Sequence, residues 1–326
     1  MLLIFNIIQF MIHNKENPKA ILLILSGMTV FAIQDTLIKL ISDTTNIFLI
    51  YFVRSLVGLI VIIFYLKIKN KPFIFKTYYP FLTSIRVFCF FIGFSLYYFS
   101  LTKLSLALAI TLFFVSPFFI SIFSMLIIKE TIGIHRWLAI SVGFLGVYLV
   151  MNPQFHDFNI YSLFPVICAV CYSFSVVIQK KTSDKDSLFS QVSHLYISAI
   201  IFSFLLKLSL HNVSFSPETI EEFQFVLSDW NIYNLTVLFM LVIIGLTGVI
   251  GWLCLFSAYR IGSPPTIAPF EYVIILWAIL ISWFLWGETL TFRAYVGLLF
   301  IISAGIYTFY RETKLNKLIS LDKPLR

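Results

Sequence analysis

The fold class is decided by the stretch from Ser257 to Glu288, which reads SAYRIGSPPTIAPFEYVIILWAILISWFLWGE. This pattern predicts the end of one apolar helix, a break marked by three prolines, and a second helix that carries Glu271 several residues inside. A charged side chain costs roughly 2.5 to 3.5 kcal/mol in hydrocarbon. We therefore expect Glu271 to face a protein or water interior and its helix to form one wall of a binding cavity.

The composition is that of a polytopic membrane protein. Of the 326 residues, 60% are hydrophobic and only 12% are charged, whereas about 25% of the residues in a soluble domain are charged. The mean hydropathy is +0.96. A helix needs about 20 apolar residues to cross a bilayer, and around ten such runs fit into the chain. The runs are continuous and about twice as long as barrel strands, which excludes a β-barrel.

Ten spans and four regions follow from this pattern. Residues 1–18 form an N-terminal extension that we interpret as interfacial rather than as a cleaved signal peptide. Residues 19–153 and 154–311 each hold five spans, and residues 312–326 form a basic cytoplasmic tail. The predicted spans are 20–41, 46–68, 78–100, 104–128, 135–152, 160–180, 187–208, 234–258, 266–287 and 293–311.

The distribution of basic residues predicts the orientation, because cytoplasmic loops are enriched in Lys and Arg. With the N-terminus inside, 17 of the 23 Lys and Arg residues lie on the cytoplasmic side, three lie on the outer side and three lie within spans. Both termini are therefore expected in the cytoplasm of a bacterium, with the chain in its inner membrane. Because the basic residues are spread over short loops, the net charge of +8 does not indicate a nucleic-acid partner.

The longest outer loop, residues 211–233, contains a predicted short interfacial helix. Ser216, Pro217 and Glu218 supply an N-cap, a first-position proline and a first-turn acid. Either a lid of packing residues or a substrate gate fits this segment.

No cofactor or metal is expected. The four cysteines all fall inside predicted spans, and Cys168 and Cys171 have no neighbouring His or further Cys in the sequence, so we interpret them as packing residues.

The two halves of the chain are similar to each other at a shift of about 158 residues. Glu130-Thr131 matches Glu288-Thr289, and the LGVY motif at 145–148 matches AGIY at 304–307. Five spans per unit is an odd number, so the second unit must be inverted relative to the first. Inverted repeats are the architecture expected of a secondary transporter, with the substrate near the membrane midplane between the repeats.

The order of several motifs resembles the EamA-like branch of the drug/metabolite transporter superfamily. These motifs are FAIQDTLIKL, YFVRSL, SIRVF, VSPFF, KETIGIHRWLAISVGFLGVYLV and APFEYVIILWAILISWFLWGE. The resemblance covers nearly all of residues 19–310. It implies an all-α integral membrane fold of about ten transmembrane helices in two inverted five-helix repeats, which moves small organic solutes by alternating access. It does not name a substrate; amino-acid-like, amine and nucleoside-like metabolites all remain open.

Charged residues within the first two spans form one candidate site. Asp35 and Lys39 are four residues apart on one helical face, where they can pair. Arg54 enters the second span from the same side of the membrane, so Asp35 and Arg54 can meet. Two interpretations stay open: a buried ion pair that fixes the helix packing, and a polar site for a zwitterionic or anionic solute with Arg54 as donor.

A second candidate site lies in the inner halves of the third and ninth spans. Arg86 and Glu271 are expected to pair there, and Glu271 can bind a substrate cation or take up a proton, because protonation removes a costly buried charge. Tyr272 and Trp277 are candidate cavity-lining rings for a cationic solute. His194, in the seventh span, is a weaker candidate that also fits a satisfied interior group.

The leading hypothesis is therefore a secondary transporter for a small polar metabolite. Protons or a counter-solute are candidate coupling partners, and a homodimer is left open. An integral-membrane enzyme is the first alternative, but the five histidines are scattered and the chain contains no HExxH or GxSxG motif. A non-transporting membrane scaffold is the second alternative, against which the buried charges argue.

Overall fold

The computed structural model describes residues 16–41, 45–100, 103–104, 106–153, 159–211, 213, 216–230, 234–287 and 291–321, and contains helices but no strands in these ranges. Within the described ranges, ten helical stretches are long and apolar enough to cross a membrane, and they agree with the ten predicted spans to within a few residues. The predicted fold class is confirmed. The helices are α1 Glu16–Ile41, α2 Ile47–Ile68, α3 Pro80–Ser100, α4 Leu106–Phe113, α5 Ser116–Phe123, α6 Ile134–Met151, α7 Leu163–Thr182, α8 Leu188–His211, α9 Pro217–Glu222, α10 Gln224–Leu227, α11 Leu235–Ile261, α12 Pro264–Ile267, α13 Val273–Trp286 and α14 Phe292–Leu321.

The fourth and ninth spans, which are equivalent in the two repeats, are both interrupted. The fourth consists of α4, α5 and a π-helical turn, Ser124–Ile128, and α5 begins one residue before Pro117. In the ninth, a 3-10 segment, Ala268–Tyr272, separates α12 from α13 and holds Glu271. Proline lacks a backbone N–H and cannot continue the helical hydrogen bonding. The prolines of the ninth span are Pro264, Pro265 and Pro269.

The packing of the helices follows the inverted repeat. The first span (α1) packs along the eighth (α11), and the third (α3) packs along the sixth (α7). The second (α2) packs along the seventh (α8), and the fifth (α6) packs along the tenth (α14). Exchanging the two repeats converts the pair of the first and eighth spans into the pair of the sixth and third spans. It leaves the second–seventh and fifth–tenth pairs unchanged. This is the contact pattern of a pseudo-two-fold axis in the membrane plane.

Glycines bring the paired helices close together. A Cβ atom on Gly251 of α11 would lie 2.6 Å from Cε1 of Phe31 in α1. A Cβ atom on Gly146 of α6 would lie 2.6 Å from the backbone oxygen of Gly297 in α14. Small residues at such crossings let membrane helices approach each other, because dispersion contacts rather than the hydrophobic effect hold them together.

Successive spans run in opposite directions and place the loops at two ends of the bundle. From the Lys and Arg distribution we call the end with residues 45–46, 103–104 and 216–230 the predicted outer end. The opposite end, with residues 69–79 and 183–187, is the predicted inner end.

Two short helices cover part of the predicted outer end. Ser216 caps α9 by accepting a hydrogen bond from the backbone N–H of Thr219, so the helix start predicted at this position is confirmed. The helix breaks at Phe223, where α10 begins. The side chain of Asn46, at the start of α2, donates to the carbonyls of Val226 and Ser228 at 2.7 and 2.8 Å. These bonds hold the segment 216–230 against the bundle.

Candidate functional site

Asp35 of α1 borders an opening inside the bundle. Protein surrounds the residue, yet its side chain is exposed. Ile33 is also exposed, and it lies about 200° away from Asp35 around the helix. The two residues are therefore on opposite faces of α1. Because the Ile33 face is the lipid side, the Asp35 face borders an interior opening. Arg54 of α2 and Tyr97 and Tyr98 of α3 interact electrostatically with Asp35. We call the region bounded by these four residues the central cleft.

Arg54 brings a buried positive charge to this cleft. Its side chain is 7% exposed, and its guanidinium carbon lies 5.0 Å from the centre of the Tyr51 ring. Asp35 and Arg54 are close, as the sequence predicts, but no direct ion pair joins them. The Nε–H group of Arg54 has no hydrogen-bond partner among the described residues. A cavity of about 20 Å³ beside Arg54, Ser55 and Tyr196 has room for about one water molecule.

Aromatic rings form the side of the cleft next to Asp35. Phe94 and Tyr97 of α3 and Phe113 of α4 are each half-buried. The Phe113 ring centre lies 5.6 Å from that of Tyr97, 6.0 Å from that of Phe94 and 5.6 Å from that of Tyr172 in α7. We call Phe94, Tyr97, Phe113 and Tyr172 the aromatic wall. Such rings can stack on a planar ligand or hold a cation over their faces.

Glu271 lies behind the aromatic wall rather than in the open cleft. Its side chain is 2% exposed. The hydroxyls of Tyr172 and of Tyr259, near the end of α11, both donate to its Oε1 atom, at 2.6 and 2.5 Å. Glu271 therefore faces a protein interior, and its contact to the cleft runs through Tyr172.

The expected pairing of Arg86 with Glu271 is wrong. The Nη2 atom of Arg86 donates to the carbonyl of Gln191 at 2.9 Å, and its guanidinium carbon lies 5.5 Å from the centre of the Phe256 ring. Among the described residues no cation pairs with Glu271. Both residues lie in the inner halves of their spans, but Arg86 on α3 is directed towards α8, whereas Glu271 is directed towards α7 and α11.

Arg86 belongs to a buried polar network between α3, α7 and α8. The Nε2 atom of Gln179 donates to Oε1 of Gln191 at 2.9 Å, and Nε2 of Gln191 donates to the carbonyl of Gln179 at 2.9 Å and to the hydroxyl of Thr182 at 3.0 Å. Ser175 donates to the backbone carbonyl of Arg86 at 2.7 Å. These paired groups hold the inner halves of the three helices together.

Asp186, in the loop between α7 and α8, closes the predicted inner end below this network. It is 2% exposed, and its carboxylate accepts hydrogen bonds from the Thr77 hydroxyl at 2.5 Å and the Tyr78 backbone N–H at 2.9 Å. Its carbonyl accepts from Nη1 of Arg260 in α11 at 2.7 Å. We call the contacts of Asp186 with Thr77, Tyr78 and Arg260 the inner closure. Nearby, the hydrogen bond to the Asp184 carboxylate raises the pKa of the Tyr79 phenol.

Two of the other candidate residues, His194 and Tyr272, make contacts away from the cleft. Nε2 of His194 is 2.6 Å from the Phe75 carbonyl, which anchors the loop before α3 to α8. Tyr272 is buried and its hydroxyl donates to the Phe114 carbonyl at 3.3 Å, so it packs against α4. Trp277 is half-buried on α13. The side chain of Lys39 lies outside the described part of the chain.

The structure offers no metal site among the residues it describes, since no group of three His, Cys, Asp or Glu side chains comes together there. Cys89, Cys168, Cys171 and Cys254 are free thiols.

Sequence reasoning missed Tyr172, Tyr259 and Asp186. A signal for Tyr259 exists: it lies 12 residues before Glu271, and the hairpin around Gly262 returns the chain to the same depth. Tyr172 has no such signal, because it lies in an apolar helix 99 residues before Glu271. Asp186 looks like an ordinary loop acid in the sequence TSDKDS.

Known proteins share this fold, and several are similar in sequence over most of the chain. The S-adenosylmethionine uptake transporter of Rickettsia prowazekii is 24% identical over 290 residues, which cover 89% of this chain and 92% of that protein. The riboflavin transporter of Vibrio cholerae is 26% identical over 267 residues, which cover 81% of this chain and 83% of that protein. One crystal structure superposes with a TM-score of 0.74 at 14% identity, covering 91% of this chain and 98% of its own, and supports the fold alone.

The sequence profile of the EamA-like transporter family matches residues 18–152 and 159–310, which are the two five-span units. The relatives are named as transporters of small metabolites, and the ten apolar helices make this a multi-pass membrane protein. The chain belongs to the EamA-like transporter family and is a small-metabolite transporter of that type.

Proposed function

We propose that the protein is a secondary transporter of the bacterial inner membrane, with both termini in the cytoplasm, that moves a zwitterionic organic metabolite by alternating access. The observation that carries this proposal is the placement of Asp35 and Arg54, two opposite charges that approach each other at one cleft within the bundle. A charged group inside a membrane is costly and is kept where it has a function.

The charge arrangement favours a solute with both signs of charge. Asp35 is exposed to the cleft and can accept hydrogen bonds from an ammonium group. Arg54 contacts the Tyr51 ring and has an N–H group that no described residue accepts from, so it can bind a carboxylate. Because the two side chains form no direct ion pair, a solute can insert its charges between them without first breaking one.

The aromatic wall favours a solute with a planar ring. S-adenosylmethionine and riboflavin, for which the relatives are named, both carry fused heteroaromatic rings. S-adenosylmethionine also carries an ammonium group, a carboxylate and a sulfonium cation, which match Asp35, Arg54 and the ring faces. We therefore take a metabolite of this kind as the first candidate and a flavin as the second, which the aromatic wall alone favours.

Alternating access requires two closures of which one is open at a time, and the inner closure is made in this structure. Asp186, its partners and the Gln179–Gln191 pair block the path from the inner end. Asp35 lies in the outer half of α1, on the side of the cleft away from this network. Entry of solute from the outer side then involves movement of the segment 216–230, which covers part of that end.

Counterflow in liposomes tests this proposal. Liposomes containing the purified protein are loaded with unlabelled S-adenosylmethionine, and entry of labelled S-adenosylmethionine is compared with entry into protein-free liposomes. Labelled riboflavin is tested in the same way. We expect protein-dependent entry, and Asp35→Asn should raise the half-saturating concentration about 10- to 150-fold, because hydrogen bonds to charged groups contribute about 1.5 to 3 kcal/mol.

Asp229→Asn is the matched control. Asp229 is also an acid at the predicted outer end, but it is exposed and pairs with Lys207 at 2.8 Å outside the cleft. This variant should transport like the wild type. Entry of neither solute, or equal half-saturation in Asp35→Asn and the wild type, would overturn the proposal.

A further inference from the structure

We propose that Glu271 is a proton-binding site and that Tyr172 couples its protonation to occupancy of the central cleft, which makes the protein a proton symporter. This inference rests on the proposed transport function. It differs from the substrate site, which lies at Asp35 and Arg54, because Glu271 is screened from the cleft by the aromatic wall.

The first step is the setting of the Glu271 carboxyl group. It is buried in the broken middle of the ninth span, and no described cation pairs with it. Two phenol hydroxyls donate to the same carboxylate oxygen. Inside a membrane, an acid without a cationic partner lowers its cost by binding a proton, so its charge can change during a transport cycle.

None of the described groups around Glu271 supplies a positive charge that would neutralise it in place of a proton. The titratable groups that interact with it are Tyr172 on α7, Tyr259 on α11 and Tyr272 on its own segment, and Cys168 lies next to Tyr172. Charged groups on the other packed elements hold partners elsewhere. His135 on α6 contacts the Tyr307 hydroxyl of α14, Arg136 pairs with Glu130, and Arg260 binds Asp186. Asp35 on α1 lies in the cleft, and Lys19, Arg293 and Arg311 lie at the ends of their membrane spans.

The second step is the position of Tyr172 between the two sites. Its ring centre lies 5.6 Å from that of Phe113 and 6.1 Å from that of Phe94, both half-buried rings of the aromatic wall. Its hydroxyl donates to Glu271. Tyr259 makes an equivalent hydrogen bond to the same oxygen, but its ring is completely buried, and its interaction with the aromatic wall is with Tyr172. Tyr172 therefore joins Glu271 to the half-buried rings of the wall, whereas Tyr259 contacts Glu271 and Tyr172.

The third step is the consequence of a solute in the cleft. A planar ring that enters beside Phe94 and Phe113 displaces the Tyr172 ring, and with it the hydroxyl that donates to Glu271. A carboxylate that loses one of two donors is less favourable as an anion, so it takes up a proton. Solute and proton then bind together on one side. On the other side the solute leaves, the Tyr172 hydroxyl returns, the O–H bond at Glu271 breaks and one proton is released.

Two assays on the same liposomes separate this inference from the proposed function. Counterflow of labelled S-adenosylmethionine needs no net proton movement. Accumulation driven by a pH gradient, acid outside, needs proton coupling and reaches at most about tenfold per pH unit for one proton per solute. We expect the wild type to show both. Glu271→Gln should keep counterflow and lose accumulation, because its amide cannot be protonated.

The two tyrosines provide the matched pair. Tyr172→Phe and Tyr259→Phe each remove one hydroxyl donor from the same carboxylate oxygen and keep the ring. Tyr172→Phe should reduce gradient-driven accumulation severalfold while counterflow persists, and Tyr259→Phe should retain accumulation. Counterflow in the variants also shows that they are folded.

The outcomes are distinct. No counterflow in the wild type would overturn the transport proposal and this inference with it. Counterflow without gradient-driven accumulation in the wild type, or undiminished accumulation in Glu271→Gln, would overturn the proton site alone. Equal loss of accumulation in Tyr172→Phe and Tyr259→Phe would overturn the link through Tyr172.

Discussion

Weakening the inner closure should open the predicted inner end by a measurable amount, and Asp186→Asn is the smallest change that does so. The carboxylate accepts hydrogen bonds from the Thr77 hydroxyl and the Tyr78 N–H on its two oxygens. An asparagine keeps one oxygen but places an NH2 group opposite the other donor. Hydrogen bonds to charged groups contribute about 1.5 to 3 kcal/mol each and neutral ones about 1 kcal/mol. We therefore expect the closed state to lose about 1 to 3 kcal/mol, which raises the open population about 5- to 150-fold.

The open population can be measured through a cysteine placed behind the inner closure. Ser190 is 2% exposed and lies next to Gln191 in α8, so Ser190→Cys adds a thiol that reagents reach only after opening. When opening and closing are fast relative to labelling, the labelling rate follows the open population. The rate of reaction with a membrane-impermeant methanethiosulfonate should therefore rise about 5- to 150-fold in Asp186→Asn. The same protein without the added cysteine supplies the background.

Tyr79→Phe is the control for this experiment. The Tyr79 hydroxyl donates to Asp184 at 2.8 Å and also joins the start of α3 to the α7–α8 loop, but this bond is exposed to solvent. Water replaces such a bond at little cost, so the labelling rate should stay near that of the wild type. An unchanged rate in Asp186→Asn, or the same increase in both variants, would refute the reasoning.

Two further predictions concern the scaffold. Asn46→Ala removes the two hydrogen bonds that hold the segment 216–230. Limited proteolysis should therefore cut this segment about 5- to 150-fold faster. An unchanged cleavage rate would contradict the role of Asn46 as an anchor. Gly251→Val places a Cβ atom 2.6 Å from the Phe31 ring, so the melting temperature in detergent should fall, by an overpacking cost of about 1 to 3 kcal/mol. Gly133→Ala, which meets no atom within 4 Å, should melt like the wild type, and an equal fall in both variants would show that helix crossing is not the cause.

The spans and their pairing could be predicted from the sequence because few physical quantities fix them. Hydrocarbon thickness sets the length of each apolar run, and the repeated ET and GxY motifs give the inverted repeat. The break before Glu271 was also visible, since three prolines fall within six residues there. The approach of Asp35 to Arg54 followed from depth, because both charges lie in the outer halves of their spans. In the structure the first and second spans both pack along the eighth span, which brings the two charges to the same cleft.

The depth of a residue in the membrane was not enough to predict the partners of Arg86 and Glu271. The sequence places both in the inner half of the membrane, but the direction in which each side chain points depends on which helices pack against its span. The 3-10 segment turns Glu271 towards Tyr172 and Tyr259, and the pairing of α3 with α7 and α8 directs Arg86 to the Gln191 carbonyl. The position of Tyr172 combines ring contacts with Phe94 and Phe113 of the other repeat and a hydrogen bond to Glu271 of its own repeat, and no local pattern encodes either.

The central claim is that Asp35 and Arg54 bind the two charges of one solute, and a comparison of two competing analogues tests it most directly. In the counterflow assay, S-adenosylmethionine competes with its decarboxylated analogue, which keeps the ring, the amine and the sulfonium but lacks the carboxylate. The wild type should prefer the carboxylate-bearing compound about 10- to 150-fold, and Arg54→Gln should abolish this preference. An equal preference in the wild type and Arg54→Gln would contradict the account.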